Sequence, residues 1–269
     1  MSVQTLYTAA TGMESLQTKL DVIANNLANV NTTGFKSDRA NFEDLFYRHE
    51  PYPGNQDSQT NYTPTGTQIG LGSRVQSTQS NFQQGAFQQT GEPLDLAIEG
   101  QGFFQVQDAA SGQILFTRAG NFAMNANYNM VMGSAQTGRL IEPQITFPQD
   151  TTGISITADG QVLAQTASQT QMQQVGQIQN VLFPNPEGLL KLGENLYSQT
   201  DSSGQPQPGN PGQQGLGFVR QGFLEASNVE PVRELIDLIT TQRSFELNSQ
   251  VIQAGDQILQ EITNLARNT

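Results

Sequence analysis

The two ends of this chain carry a helical heptad pattern that its long middle lacks. Near the N-terminus, apolar residues recur at intervals of seven, three and four, at Leu6, Met13, Leu16, Leu20, Ile23, Leu27 and Val30. Near the C-terminus, one row repeats every seven residues beside a second row, at Leu238, Phe245, Ile252 and Leu259 and at Val251, Ile258 and Leu265. Heptad a and d positions have this spacing and pack in the seam between helices. The sequence therefore predicts two long helices, at about 2–31 and 230–266, that form a coiled-coil stem.

Between the helices the pattern predicts a mainly antiparallel β domain. Leu94, Leu96 and Ile98 alternate with other residues, and Ile154 and Ile156 alternate into an Asp-Gly turn typical of a hairpin. Prolines and glycines across residues 49–70 favour an extended linker. The predicted fold class is α+β. Its parts are a helical stem at 1–35 and 225–269, an extended linker or insert at 36–70 and a β-rich outer domain at 71–224.

Composition excludes several classes of function. The net charge is −12 and the twelve basic residues are scattered singly, so a nucleic-acid surface, which needs clustered Lys and Arg, is not expected. The absence of cysteine excludes disulfides and thiolate metal sites. No stretch reaches the roughly 18 apolar residues of a membrane span, and the N-terminus does not resemble a Sec signal peptide. If the protein leaves the cytosol, another route carries it.

The sequence gives little support for an active site. The single histidine, His49, lies in the Pro-rich segment and has no nucleophile beside it in a recognisable motif. Asp95 and Glu99 form a conceivable glycosidase pair, but acidic residues are common at the ends of strands. No serine-hydrolase, zinc-protease or phosphate-loop motif is present. We therefore predict no enzyme activity, no catalytic or metal-binding residue and no cofactor.

The lengths of the two helices predict oligomerisation. At about 1.5 Å per residue they would span roughly 45 Å and 55 Å, so neither covers the other completely. Each apolar side chain contributes roughly 1.5–3 kcal/mol when it is fully buried. The uncovered part of each stripe is therefore expected to pack against neighbouring subunits.

Several segments resemble one family in order along nearly the whole chain. The segment at 20–36, LDVIANNLANVNTTGFK, and the segment at 224–259, which begins LEASNVEPV, are similar to the two terminal signatures of the bacterial flagellar rod and hook family. Between them, TQIGLGSRV, LDLAIEGQGFFQV, FTRAGNF and GENLY are also similar to family motifs. The residues that match the terminal signatures include Asn25, Asn26, Asn29, Asn31, Gly34, Phe35, Lys36, Ser227 and Asn228.

This resemblance implies a structural role. Members stack helically into a hollow tube, with paired terminal helices around an export channel and the β domain outside. The implied partners are copies of the chain itself, proximal rod proteins, the hook protein, the outer-membrane and peptidoglycan bushing rings and the flagellar type III export apparatus. The implied location is the basal-body rod crossing the periplasm, where the subunit would transmit motor torque.

Within the family, the segment after the first helix resembles the insert of the members that build the distal rod. The resemblance implies that this insert stiffens the rod through Phe46, Tyr47, Pro51, Pro53, Tyr62 and Pro64. A proximal rod or hook subunit is the alternative within the family. Outside it, the alternatives are a secreted β-domain enzyme acting on cell-wall sugars and a free-standing coiled-coil scaffold.

Overall fold

A computed structural model describes residues 3–50, 66–108, 111–133, 138–167 and 169–267. Helix α1 spans Val3–Ala28 and helix α2 spans Pro231–Arg267. Alanine and leucine, both strong helix formers, recur in the second half of α1, and Pro231 occupies the first position of α2, where its missing N–H costs nothing. No helix in the described part of the chain is both long enough and apolar enough to span a membrane.

Twenty strands lie between the two helices in the described ranges. They are β1 Asp38–Asp44, β2 Tyr47–His49, β3 Gln68–Gly70, β4 Ser73–Ser80, β5 Phe87–Gln89, β6 Leu96–Glu99, β7 Phe103–Gln107, β8 Ile114–Thr117, β9 Phe122–Met124, β10 Met130–Met132, β11 Leu140–Glu142, β12 Thr151–Ile156, β13 Gln161–Thr166, β14 Gln169–Gln177, β15 Asn180–Leu182, β16 Leu190–Gly193, β17 Leu196–Ser198, β18 Gln207–Gly209, β19 Phe218–Gln221 and β20 Phe223–Glu225.

The chain divides into two units. The first comprises residues 1–28, 38–79 and 230–269, and the second comprises residues 29–37 and 80–229. In the first unit, the two helices pack together and α1 also contacts β1. Strand β1 pairs with β4, and β2 pairs antiparallel with β3 so that Tyr47 lies opposite Gly70.

The second unit is built around a nine-stranded sheet. Its main path runs β16-β17-β8-β7-β11-β10-β9, while β15 pairs with both β7 and β18. Strands β12, β13 and β14 form a separate three-stranded antiparallel sheet. Two short pairs, β19 with β6 and β20 with β5, bring the last strands of the unit back to its first ones. Every pairing given a register in this unit is antiparallel.

Two buried clusters stabilise the second unit. The larger is mainly aliphatic and includes Leu96, Ile98, Val106, Ile141 and Ile178. The smaller is mainly aromatic and consists of Phe103, Phe116, Val181, Phe183, Leu189 and Tyr197. Strand β7 contributes to both clusters, with Phe103 in the aromatic one and Phe104 in the aliphatic one, because neighbouring side chains point to opposite faces of a strand.

The predicted α+β class and mainly antiparallel β region are confirmed. The helix ends differ slightly, since α1 stops at Ala28 and the Thr32 N–H donates to the Asn29 carbonyl in the following turn. Both ends of the segment interpreted as an extended linker are paired strands, at 47–49 and 68–70. Strand β1, in the same predicted range, was missed because polar pairs such as Arg39 with Gln79 replace apolar alternation.

Candidate functional site

The two helices of the first unit form an antiparallel pair. Near one end Gly255 lies against Leu6, so closely that a Cβ atom on Gly255 would clash with the leucine Cδ2. Near the other end Nδ2 of Asn26 donates a hydrogen bond to Oε1 of Glu234 at 3.2 Å. Residue numbers thus rise along α1 as they fall along α2. With 26 and 37 residues, the helices are about 39 Å and 55 Å long, so α2 extends beyond α1.

The predicted seam residues occupy several different positions. Ile23 is buried, and the other α1 residues of the seam, together with the α2 row, are half-buried: Leu6, Met13, Leu16, Leu20, Leu27, Leu238, Phe245, Ile252 and Leu259. Val30 lies beyond the end of α1, in the turn that belongs to the second unit. Val251 and Ile258 are exposed, and the side chain of Leu265 lies outside the described residues.

Helix α2 also carries a second apolar stripe that faces away from its half-buried row. Its exposed members are Val232, Ile236, Ile239 and Leu247, and Leu235, Val251 and Ile258 are exposed at its margins. At 100° per residue, Ile236 and Leu238 are separated by 200° around the helix axis, which places them on opposite sides. Exposed apolar surface of this extent is typical of an interaction site. Helix α2 therefore has one apolar face directed at α1 and another left uncovered by the described residues.

The side chain of Asn26 forms hydrogen bonds with the main chain of Asp38 of the kind that a neighbouring strand would form. It is 1% exposed, and its side-chain amide both accepts from the Asp38 N–H at 2.9 Å and donates to the Asp38 carbonyl at 2.8 Å. Its second partner, Glu234, has a pKa above the ordinary value, mainly because burial disfavours the carboxylate. The hydrogen bond from Asn26 opposes this shift, and the nearby Asp237 adds to it.

Asn228 plays a similar part inside the second unit. Its Oδ1 accepts from the Ser37 N–H at 2.8 Å, while its Nδ2 donates to the carbonyls of Asn81 and Gln83 at 2.8 and 3.1 Å. The side chain thereby ties the segment around Ser37 to the segment around Asn81. These contacts give the C-terminal motif residue a local structural role.

The other motif residues have mixed surroundings. Asn25 and Asn31 are exposed, Asn29 accepts a hydrogen bond from the Thr32 hydroxyl at 3.1 Å, and Ser227 accepts one from the Val229 N–H. The Phe35 ring lies 5.2 Å from Nζ of Lys191. The predicted motif therefore includes both buried and exposed positions.

Lys36 belongs to a buried ion cluster that the sequence patterns did not reveal. Its Nζ lies 2.5 Å from Oε1 of Glu225, and both side chains have no exposed surface. Nε of Arg118, a side chain 4% exposed, lies 3.1 Å from the second carboxylate oxygen of Glu225. Burial lowers the pKa of Lys36 below its ordinary value, an effect that Glu225 opposes and Arg118 reinforces. Burial likewise lowers the pKa of Arg118.

Main-chain groups complete this cluster. Lys36 Nζ donates to the Gln83 carbonyl at 2.7 Å, and the Gly85 N–H donates to Glu225 Oε1 at 2.9 Å. Arg118 donates to the carbonyls of Gly100 and Gly102 at 2.9 and 2.6 Å. A buried charge has no periodic signature in the sequence. Only the similarity to family motifs pointed to the segments that hold Arg118 and Glu225.

Gly34 allows the chain to approach this cluster. It has φ +68°, and a Cβ atom there would lie 2.7 Å from the Ala119 main-chain nitrogen. Its N–H donates to the Glu225 carbonyl at 2.7 Å. Only glycine fits both the left-handed conformation and the available space.

The insert residues are only partly described. The Phe46 side chain is 88% exposed and that of Tyr47 is 48% exposed, at the start of the β2–β3 pair. Pro51, Pro53, Tyr62 and Pro64 lie outside the described residues. An aromatic ring as exposed as that of Phe46 is a candidate contact with another molecule.

Three family models match the chain, and together they define its class. A model for flagella basal body rod proteins matches residues 6–36, which include most of α1. The flagellar hook protein FlgE/F/G D1 domain matches residues 97–164 in the second unit. The C-terminal domain of flagellar basal body rod FlgEFG proteins matches residues 220–265, which include most of α2. Rod and hook proteins of the bacterial flagellum form the class defined by these matches.

Comparison with curated relatives identifies the family of the chain within this class. The chain is 45% identical to the flagellar basal-body rod protein FlgG of Agrobacterium fabrum, over 95% of this chain and 97% of the relative. FlgG of Caulobacter vibrioides is 43% identical, over 98% and 99%. FlgG of Buchnera aphidicola subsp. Baizongia pistaciae is 41% identical, over 98% and 100%. The chain therefore belongs to the FlgG family of flagellar basal-body rod proteins and is a structural rod subunit.

Proposed function

We propose that the chain polymerises helically with copies of itself into the rigid distal rod, which transmits motor torque to the hook. The observation that carries this proposal is the second apolar stripe of α2. One face of α2 packs on α1, while Ile236, Ile239 and Leu247 on the other face remain exposed. A surface that pairs with a different surface on the next copy generates a helical filament when the rotation does not close.

Membership of the family supports the remaining parts of the proposal. The segments 1–35 and 225–269 form the coiled-coil inner stem that lines the export channel, and 71–224 form the outer domain. The segment 36–70 stiffens the rod, with the exposed ring of Phe46 available for contact with a neighbour. The partners are proximal rod proteins at one end, the hook protein at the other and the outer-membrane and peptidoglycan rings around the shaft. The subunit reaches the periplasm through the flagellar type III export apparatus.

Labelled basal bodies test this proposal. A short epitope placed after Gly112 adds to an exposed turn, since a Cβ atom at this glycine would meet no heavy atom within 4 Å. In motile cells carrying the tagged chain as the sole copy, we expect antibody density in electron micrographs along the rod between the rings and the hook. Label confined to the proximal rod or to the hook would instead assign the chain to one of those segments.

A parallel measurement addresses the alternative of a cell-wall enzyme. Purified full-length protein is incubated with peptidoglycan in a zymogram, beside a lysozyme standard. We expect no cleared zone at any protein concentration. A zone that persists in Leu247→Asp, a variant expected not to assemble, would support enzymatic activity separate from polymerisation.

A further inference from the structure

The buried ion cluster of the second unit joins parts of the chain that are far apart in sequence. Lys36 and Glu225 are separated by 189 residues, and Arg118 lies between them in the sequence. The same region holds three main-chain links: Gly34 N–H to the Glu225 carbonyl, Gly85 N–H to the Glu225 carboxylate and Ala226 N–H to the Ala86 carbonyl. Both ends of the second unit therefore meet at Glu225.

The rest of the unit is built from more local pairings. Strands β7 and β8 form an antiparallel pair within 103–117, and β12 and β13 form another within 151–166. Closing a short loop costs less entropy than closing one of almost 190 residues, so local hairpins form earlier. None of the register pairs in these two hairpins includes Lys36, Arg118 or Glu225.

The contact between the two ends of the unit depends on the charges of the three side chains. Two cations, Lys36 and Arg118, share the single carboxylate of Glu225 in a region almost without exposed surface. Burying the cations without that carboxylate carries a large desolvation cost. Before the segment around Glu225 docks, Lys36 and Arg118 must remain hydrated. They remain hydrated only while the edge of the unit that covers them is open.

We infer that the Lys36–Glu225–Arg118 cluster is a clasp that closes last, so that the second unit completes its fold only after the segment around Glu225 has docked. The hairpins form without the clasp, and its closure then fixes 29–37 and 222–228 onto them. Because translation runs from the N-terminus, most of the unit is made before its closing carboxylate. This inference does not depend on the proposed polymer.

Pulsed hydrogen exchange during refolding of the full-length chain tests the order of these events. In the wild type, we expect amides of β7, β8, β12 and β13 to become protected first. The N–H groups of Gly34 and Gly85, which donate to Glu225, and of Ala226, which follows Glu225 in the chain, are expected to become protected in a distinct later phase. Simultaneous protection of both sets would overturn the inference.

The substitution Glu225→Gln removes the negative charge and keeps the shape of the side chain. In Glu225→Gln, the hairpins are expected to gain protection at the wild-type rate, within about twofold. Equilibrium protection of Gly34 and Gly85 is expected to fall by about 100-fold or more, because two buried cations lose their partner. The matched control is Glu99→Gln, since Glu99 is an exposed partner of Arg220 at 3.7 Å and its loss is expected to change protection less than about fivefold.

A conservative variant keeps the test decisive if Glu225→Gln does not fold. Glu225→Asp retains the negative charge on a shorter side chain. It should lower the protection of Gly34 and Gly85 as Glu225→Gln does, but by a smaller factor. Hairpin protection slowed as strongly as that of Gly34 would place the cluster in the folding nucleus and refute a late clasp. Equal effects of Glu225→Gln and Glu99→Gln would also refute it.

Discussion

Leu247 offers a direct test of the exposed stripe on α2. Its side chain is 61% exposed, so burying the exposed part against a neighbouring copy would contribute roughly 1–2 kcal/mol. Leu247→Ser should therefore raise the critical concentration for assembly about tenfold, since 1.4 kcal/mol corresponds to a factor of ten. Leu247→Asp also places an unpaired carboxylate in the interface, which costs several kcal/mol more. We expect this variant to raise the critical concentration about 1000-fold.

The isolated subunit should tolerate the same changes. Exposed substitutions usually alter the free energy of unfolding by about 0.5 kcal/mol or less, and Asp costs a similar amount in helix propensity. The matched control is Gln242→Asp, which adds the same charge at an exposed position 140° around α2 from Leu247. Sedimentation over a concentration series measures assembly, and circular dichroism measures helix content. Wild-type assembly of Leu247→Asp, or equal loss of assembly in Gln242→Asp, would refute the role of the stripe.

Three further predictions concern the two units and the insert. Gly34→Ala should destabilise the second unit by about 2 kcal/mol or more, because the added Cβ meets the Ala119 main chain. In contrast, Gly112→Ala, at the same φ of +68° but in open space, should cost about 1 kcal/mol, and equal shifts in thermal melting would contradict this. Because burial raises the pKa of Glu234, the folded state binds more protons than the unfolded state between the ordinary and raised pKa values, so this group's contribution to stability falls as pH rises through that window. Denaturant unfolding should show that Glu234→Gln removes this slope, and an unchanged slope would show that Glu234 is not its source. Deleting residues 56–62 should leave export and polymerisation intact but lower the persistence length of rods in electron micrographs, and rods of unchanged stiffness would argue against a stiffening insert.

The helices and the apolar strands were predictable because their patterns are periodic. The apolar row from Leu238 to Leu259 indicated one face of α2, and the alternation around Ile154 and Val162 indicated the β12–β13 hairpin. Strand β1 was missed because its cross-strand partners are neutral amides and hydroxyls, which carry no hydrophobic period. Strand β14, which is rich in glutamine, lies at the edge of its three-stranded sheet.

The ion cluster could not be derived from the sequence by pattern. Lys36, Arg118 and Glu225 are charged residues of types that usually lie on the surface, and their burial depends on pairing across almost the entire second unit. Similarity to family motifs marked their segments, but it gave no indication that the three side chains meet. The second stripe of α2 is easier to detect from the sequence, since Val232, Ile236 and Ile239 follow helical spacing.

Asn26 and Asn228 have a consequence for how the rod responds to its chemical surroundings. Each holds main-chain groups, of Asp38 and Ser37 respectively, through a carboxamide that has no proton to gain or lose near neutral pH. Carboxylates in the same places would weaken their grip on the N–H groups as the medium became acidic. In the rod proposed above, these two attachments would therefore stay unchanged when the acidity of the surroundings fluctuates.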